Sequence, residues 1–138
     1  MTLQFSADLQ AVVFQALKQN ADLRELVGEA VFDEPPQDVR TESSAYVILG
    51  EETVRPFETQ TSQGSLHDFD VTVHSGHLGF DIAKRVAGVI SAALADLTTP
   101  IEGGQVVDIR FLRARAQRGR SPITRTIALR FRAVIDGI

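Results

Sequence analysis

The chain has no cysteine and no tryptophan, and only one tyrosine and one methionine among its 138 residues. Without thiols it can build no thiolate zinc site, no iron–sulfur cluster, no thiol nucleophile and no disulfide framework. The expectation is a protein folded in a reducing cytoplasm, or in a particle built inside one, and held by its core alone. Its length permits that, because a domain of this size buries roughly 68 % of its unfolded surface. Long apolar runs are missing too: none approaches the roughly 18 residues of a membrane span. Met1-Thr2-Leu3-Gln4-Phe5 lacks the basic-then-apolar pattern of a secretory signal. The sequence therefore reads as one soluble, unexported domain over residues 1–138 with no membrane partner. No repeat, low-complexity tract or linker divides it.

The net charge of −4 is unevenly spread. Residues 106–138 hold eight arginines against Asp108 and Asp136, a local balance of +6, which leaves −10 on the first 105 residues. Such polarity suits head-to-tail contacts between copies or docking on a charged partner, unless folding interleaves the halves and cancels it.

Apolar spacing gives the elements. Ser6 reads as an N-cap for a helix from about Ala7 to Gln19 with the stripe Leu9, Val12, Val13, Ala16 and Leu17. Asn20 caps a second short helix, Ala21 to Val27, which Gly28 stops. The prolines in Asp33-Glu34-Pro35-Pro36-Gln37-Asp38 forbid helix and favour an extended surface segment. Ala45 to Gly50 reads as a strand, Val54 to Ser65 as a loop or protruding hairpin arm. Leu66 to Ser75 alternates as a strand with His67, Phe69, Val71 and Val73 on one face and Asp68, Asp70, Thr72 and His74 on the other. Phe80 to Leu97 has helical spacing, and Gly103-Gly104 makes a turn. Two long strands follow. Val107, Ile109 and Phe111 point inward on the first, and Arg125, Ile127, Leu129, Phe131, Ala133 and Ile135 on the second. The expected fold is α+β, an antiparallel sheet of about four strands with helices on one face, in the order α-α-β-β-α-β-β.

Chemistry-bearing patterns are weak. Asp68, Asp70 and His74 share a strand face, but one strand spaces its side chains about 7 Å apart, whereas zinc needs three or four converging ligands. Gly76-His77-Leu78-Gly79 lacks the glycines and lysine of a P-loop and reads as a helix-entry turn. No serine sits in a nucleophile elbow. No catalytic, cofactor or metal residue is assigned, and an enzyme built on His67, His74 or His77 is the least supported reading. The arginines of the two last strands offer a phosphate-binding surface, an interface for an acidic protein surface, or a solvated face. The phenylalanines point inward, so no base-stacking platform accompanies them, and arginine is favoured at protein interfaces. Leu112 and Val134 among outward arginines suggest a surface covered in the working state.

Four segments, "LQAVVFQALKQNADLRELVGEAVFDEPPQD", "AYVILGEETVRPFETQ", "HDFDVTVHSGHLGFDIAKRVAGVISAAL" and "VVDIRFLRARAQRGRSPITRTIALRFRAVID", carry a resemblance over about residues 8–136. In that order they resemble the small tail-completion proteins of long-tailed phages, prophages and gene transfer agents. The best marks are Val31-Phe32-Asp33-Glu34-Pro35-Pro36, Gly50-Glu51 with Thr53, His74-Ser75, and Leu129-Arg130-Phe131-Arg132. The resemblance implies a non-enzymatic tail terminator in the neck of a phage-like particle. Such a protein forms a ring, usually of six copies, on the tail tube and joins it to the head connector, with DNA only as passing cargo. The residues expected at the contacts between copies and with the tail tube and connector are acidic Asp33, Glu34 and Asp38, then Arg55, Phe57 and Glu58 of the arm, and Arg113, Arg115, Arg118 and Arg120. An arginine-rich nucleic-acid-binding module, or another ring of the neck or tail, is the alternative.

Overall fold

Alternation of period two through residues 65–75 and 125–135 puts one apolar face on each of two strands, and these become the centre of the sheet in the computed structural model. The structure describes residues 2–33, 45–58, 63–76, 80–119 and 124–137. A 3-10 turn at Thr2–Phe5 leads into α1 (Ser6–Gln19) and α2 (Ala21–Val27). Then come β1 (Val31–Phe32), β2 (Ala45–Glu58), β3 (Gln63–Ser75), α3 (Asp81–Leu94), β4 (Thr99–Ile101), β5 (Gly104–Arg118) and β6 (Arg125–Gly137).

The six strands lie in the order β1-β2-β3-β6-β5-β4. All pairings are antiparallel except β1 on β2, which is parallel. The α+β class and the order of the long elements agree with expectation, whereas the expected four-strand antiparallel sheet gains a strand at each edge. Both additions are too short, two and three residues, to show a periodicity. Pro100 in β4 is tolerated because an edge strand need not donate on both sides.

The helices cover one face of the sheet. Leu9, Val13 and Leu17 of α1, Leu23 and Val27 of α2, and Ala83, Val86, Ile90 and Leu94 of α3 are buried. They pack in one core with Val71 and Val73 of β3 and Ile127, Phe131 and Ile135 of β6. Asn20 caps α2 as expected, its side-chain oxygen accepting from the Leu23 N–H at 2.9 Å. Gly28 ends that helix with φ +63°, a backbone state that costs glycine least.

Three local expectations are corrected. Ser6 does not cap α1: Phe5 occupies the N-cap without a side-chain bond, because the 3-10 turn supplies the helix entry and Ser6 Oγ donates to Glu52 instead. α3 stops at Leu94, three residues early, where Asp96 turns to φ +57° and its N–H donates to Ile109 O at 3.1 Å. Most of the 54–65 segment is sheet: Val54 pairs with His67, Glu58 with Gln63, and Gln63 also with Gly137 of β6. The loop is thereby corrected and the hairpin alternative holds, with residues 54–58 paired antiparallel to 63–67.

Candidate assembly interface

Two bulges decide what β5 shows. Val106 pairs with Ile135 and Asp108 with Val134, which leaves Val107 extra; Phe111 pairs with Phe131 and Arg113 with Arg130, which leaves Leu112 extra. An extra residue has no partner across the ladder and resets the parity of everything after it. The strict alternation expected for β5 is thereby corrected. Val107 is 44 % exposed at the first bulge, while Val106 and Ile109 are fully buried. Phe111 keeps the helix-side face, edge-on to Phe131 at 5.9 Å, yet it is 46 % exposed. Leu112, expected outward, is 37 % exposed at the second bulge.

From Arg110 to Arg118 every residue of β5 is exposed, although β6 beside it stays alternately buried through to Arg125. Ala114 and Ala116 lie in the same rows as buried Leu129 and Ile127, so this end of the sheet's apolar face lacks a helical cover among the described residues. Its flank is open as well. β4 pairs with β5 only over Gly104–Val106, and the Asp96 N–H closes on Ile109. Beyond that point β5 has no backbone neighbour other than β6 among the described residues.

Charge marks the same stretch. Residues 110–118 carry four arginines and no acid. Arg110 pairs with Asp108 at 3.0 Å. Arg115 lies 2.9 and 3.1 Å from the Gln117 amide, whose oxygen turned toward it accepts both bonds. The side chains of Arg113 and Arg118 have no ion pair or hydrogen bond among the described residues.

The opposite edge differs. β1 pairs with β2 only at Val47 and Ile48, so from Leu49 onward β2 pairs with β3 alone among the described residues. Residues 49–58 hold Glu51, Glu52 and Glu58 against Arg55, and exposed Asp33 follows β1 on this edge. The structure therefore sets Arg113, Arg115 and Arg118 on one flank of the sheet and Asp33 and Arg55 on the other. The backbone of Phe57 and Glu58 ends β2, while Glu34, Asp38 and Arg120 lie outside the described residues, as do His77 and its turn. The apolar members of the β5 flank, Phe111, Ala114 and Ala116, were not legible as uncovered, since nothing local reports where a helix stops.

Elsewhere the charged halves interleave. Arg130 binds Asp70 at 2.8 and 3.2 Å, and Arg132 binds Asp68 at 2.8 and 3.0 Å, in two forked pairs across the β3–β6 ladder. The Arg132 hydrogen bond holds the Asp68 carboxyl below its usual pKa. Thus part of the asymmetry cancels within the fold, while among the described residues Arg113, Arg115 and Arg118 of β5 are left without an ion pair. The face expected to offer Asp68, Asp70 and His74 together is committed to other contacts: both carboxylates hold arginines, and His74 stacks on Tyr46 at 4.8 Å. Burial there pushes the His74 pKa down and that of Tyr46 up.

One arrangement has the outline of a hydrolytic relay. Ser65 Oγ lies 2.7 Å from His67 Nε2, and His67 Nδ1 lies 3.3 Å from Glu52 Oε2. Ser65 and His67 are both fully buried, however, so no carbonyl substrate reaches Oγ. The chain of contacts continues to Ser6 and ties the start of α1 to β2 and β3. Burial raises the Glu52 pKa, and the hydrogen bonds from His67 and Ser6 outweigh that and leave it lowered. Arg125, inward as parity predicted, is 7 % exposed with its guanidinium 5.4 Å from the Phe80 ring.

Comparison with known proteins gives two findings. The family model described as tail completion protein gp17 matches residues 11–136. A chain in a solved structure described as the virion of a native gene transfer agent particle is 39 % identical, with a TM-score of 0.84, over 94 % of this chain and 95 % of that one. No curated protein matches.

Proposed function

This chain belongs to the tail completion protein gp17 family, and from that premise we propose that it is a tail terminator: a structural subunit whose ring, of six copies, caps the tail tube and joins it to the head connector of a phage-like particle. Its place is the neck of the virion, with assembly in the bacterial cytoplasm. Its work is binding, and it carries no catalytic centre. The observation that carries the reading is the pair of sheet edges, basic on β5 and acidic on β2, that have no further strand neighbour among the described residues. Two different patches on one chain favour heterologous contacts, and these close into a ring when the rotation between copies divides a full turn. The 39 % identical relative, itself from a gene transfer agent virion, supports placement in such a particle.

The test is native mass of the purified protein, alone and with tail tubes, followed by imaging of its position on the particle. A discrete ring at the head end of the tube is expected, whereas a monomer in both conditions refutes the reading. Arg113 and Arg118, whose side chains have no partner among the described residues, favour one rival, a nucleic-acid module. It predicts salt-dependent retention of duplex DNA by the lone protein, which a terminator does not need.

A further inference from the structure

We propose that the contact between neighbouring copies is strand pairing: the open flank of β5 over Arg110–Ala114 takes the open flank of β2 over Leu49–Thr53 of the next copy, so that the sheet runs on from subunit to subunit. This deepens the terminator reading and rests on it.

Direction comes first. Across the order β2-β3-β6-β5 each neighbour is antiparallel, so β2 and β5 of one chain run in opposite senses. A neighbour generated by rotation about an axis along the strands keeps its orientation, and its β2 then meets β5 antiparallel. Register follows from the same ladders. Thr53, Asp68, Arg132 and Arg110 form one row across the sheet, and Leu49, Val71, Leu129 and Ala114 another. With no rise between copies, these rows continue into the next subunit and set Arg110 beside Thr53 and Ala114 beside Leu49. Among the described residues neither stretch has a further strand neighbour over the same rows, because β4 and the Asp96 N–H stop short of Arg110 and β1 stops at Ile48.

Charge selects the occupant. Two β5 edges placed side by side would set arginine against arginine, a costly juxtaposition. The β2 flank brings exposed Glu51 toward the row of Asp70, Arg130 and Arg113, while Glu52 on the other face stays with Ser6 and His67. Pro56 has no N–H to give, so the run on β2 ends before it. Exposed arginines and bulges can also serve to blunt an edge against pairing. The 46 % and 37 % exposure of Phe111 and Leu112 argues for a covered edge here, since a merely protected edge gains nothing from them.

Because the chain has no cysteine, engineered pairs report without background. Oxidation of the Thr53→Cys/Arg110→Cys double variant is expected to give a covalent ladder reaching the size of the ring, while an equimolar mix of the two single variants stops at dimers. Hydrogen exchange is independent of register: amides within 49–55 and 110–118 should slow about tenfold or more on assembly. A ring of normal mass whose amides in both stretches exchange as fast as in the dissociated protein overturns the strand pairing and leaves the terminator standing. Failure to form any ring, alone or on tail tubes, overturns both.

Discussion

Replacing Glu52 with alanine tests whether the buried polar chain is a structural tie. The Glu52 carboxylate accepts from Ser6 Oγ and from His67 Nδ1, and His67 is fully enclosed. Its loss removes one bond to an ionised acceptor and strands a buried imidazole N–H, together about 3 kcal/mol. The Glu52 side chain is 25 % exposed, so water enters part of the vacated space and brings the net cost to about 2 kcal/mol. For a chain of this length that lowers the melting temperature by roughly 6–8 °C. Urea unfolding at neutral pH, followed by far-ultraviolet circular dichroism, reads the free energy directly. Glu52→Gln keeps an acceptor and should lose about half as much, and Ser6→Ala about 1 kcal/mol because no helix cap is lost with it. The order alanine, then glutamine, then the serine variant is the signature. A Glu52→Ala protein within about 0.5 kcal/mol of the parent, or a Ser6→Ala protein worse than it, would refute the tie.

Further outcomes follow from the same contacts. Stability should fall with acid in two stages. His74 has a depressed folded pKa, so below its unfolded value of about 6.5 the unfolded chain gains protons that the folded one resists. Glu52 and Asp68, also depressed, then lose their contribution as pH drops below roughly 4. His74→Gln should flatten the first stage in a plot of urea midpoint against pH, and an unchanged slope counts against the assignment. Gly104→Ala should destabilise by about 2 kcal/mol or more, measured by thermal melting. Its Cβ would stand 2.7 Å from Asp136 O and 3.2 Å from the Phe5 ring. Arg113→Glu with Arg118→Glu should leave the urea midpoint unchanged while native mass shows the ring lost; intact rings would move the interface elsewhere.

What the sequence settled by itself was every feature set by a short period or by one residue's backbone preference. Alternation through 66–75 and 123–135 fixed the two central strands and their faces. Placing Arg125 inward and Arg130 and Arg132 outward needed nothing more, as each follows by parity from its neighbours. Helical spacing found the three helices, and Asn20 and Gly28 marked the bounds of α2. Tertiary structure decided whatever depends on partners far along the chain. The pairs Asp70–Arg130 and Asp68–Arg132 join residues 60 and 64 positions apart, so local pattern could not reveal that they absorb part of the charge asymmetry. The bulges at Val107 and Leu112 arise from the match between β5 and β6, which neither strand encodes alone. β1 and β4 exist only because a longer strand lies beside them. The site depends most on these distant terms: the arginines were visible, but an edge is open or closed according to where its neighbour ends, and only the assembled sheet fixes that.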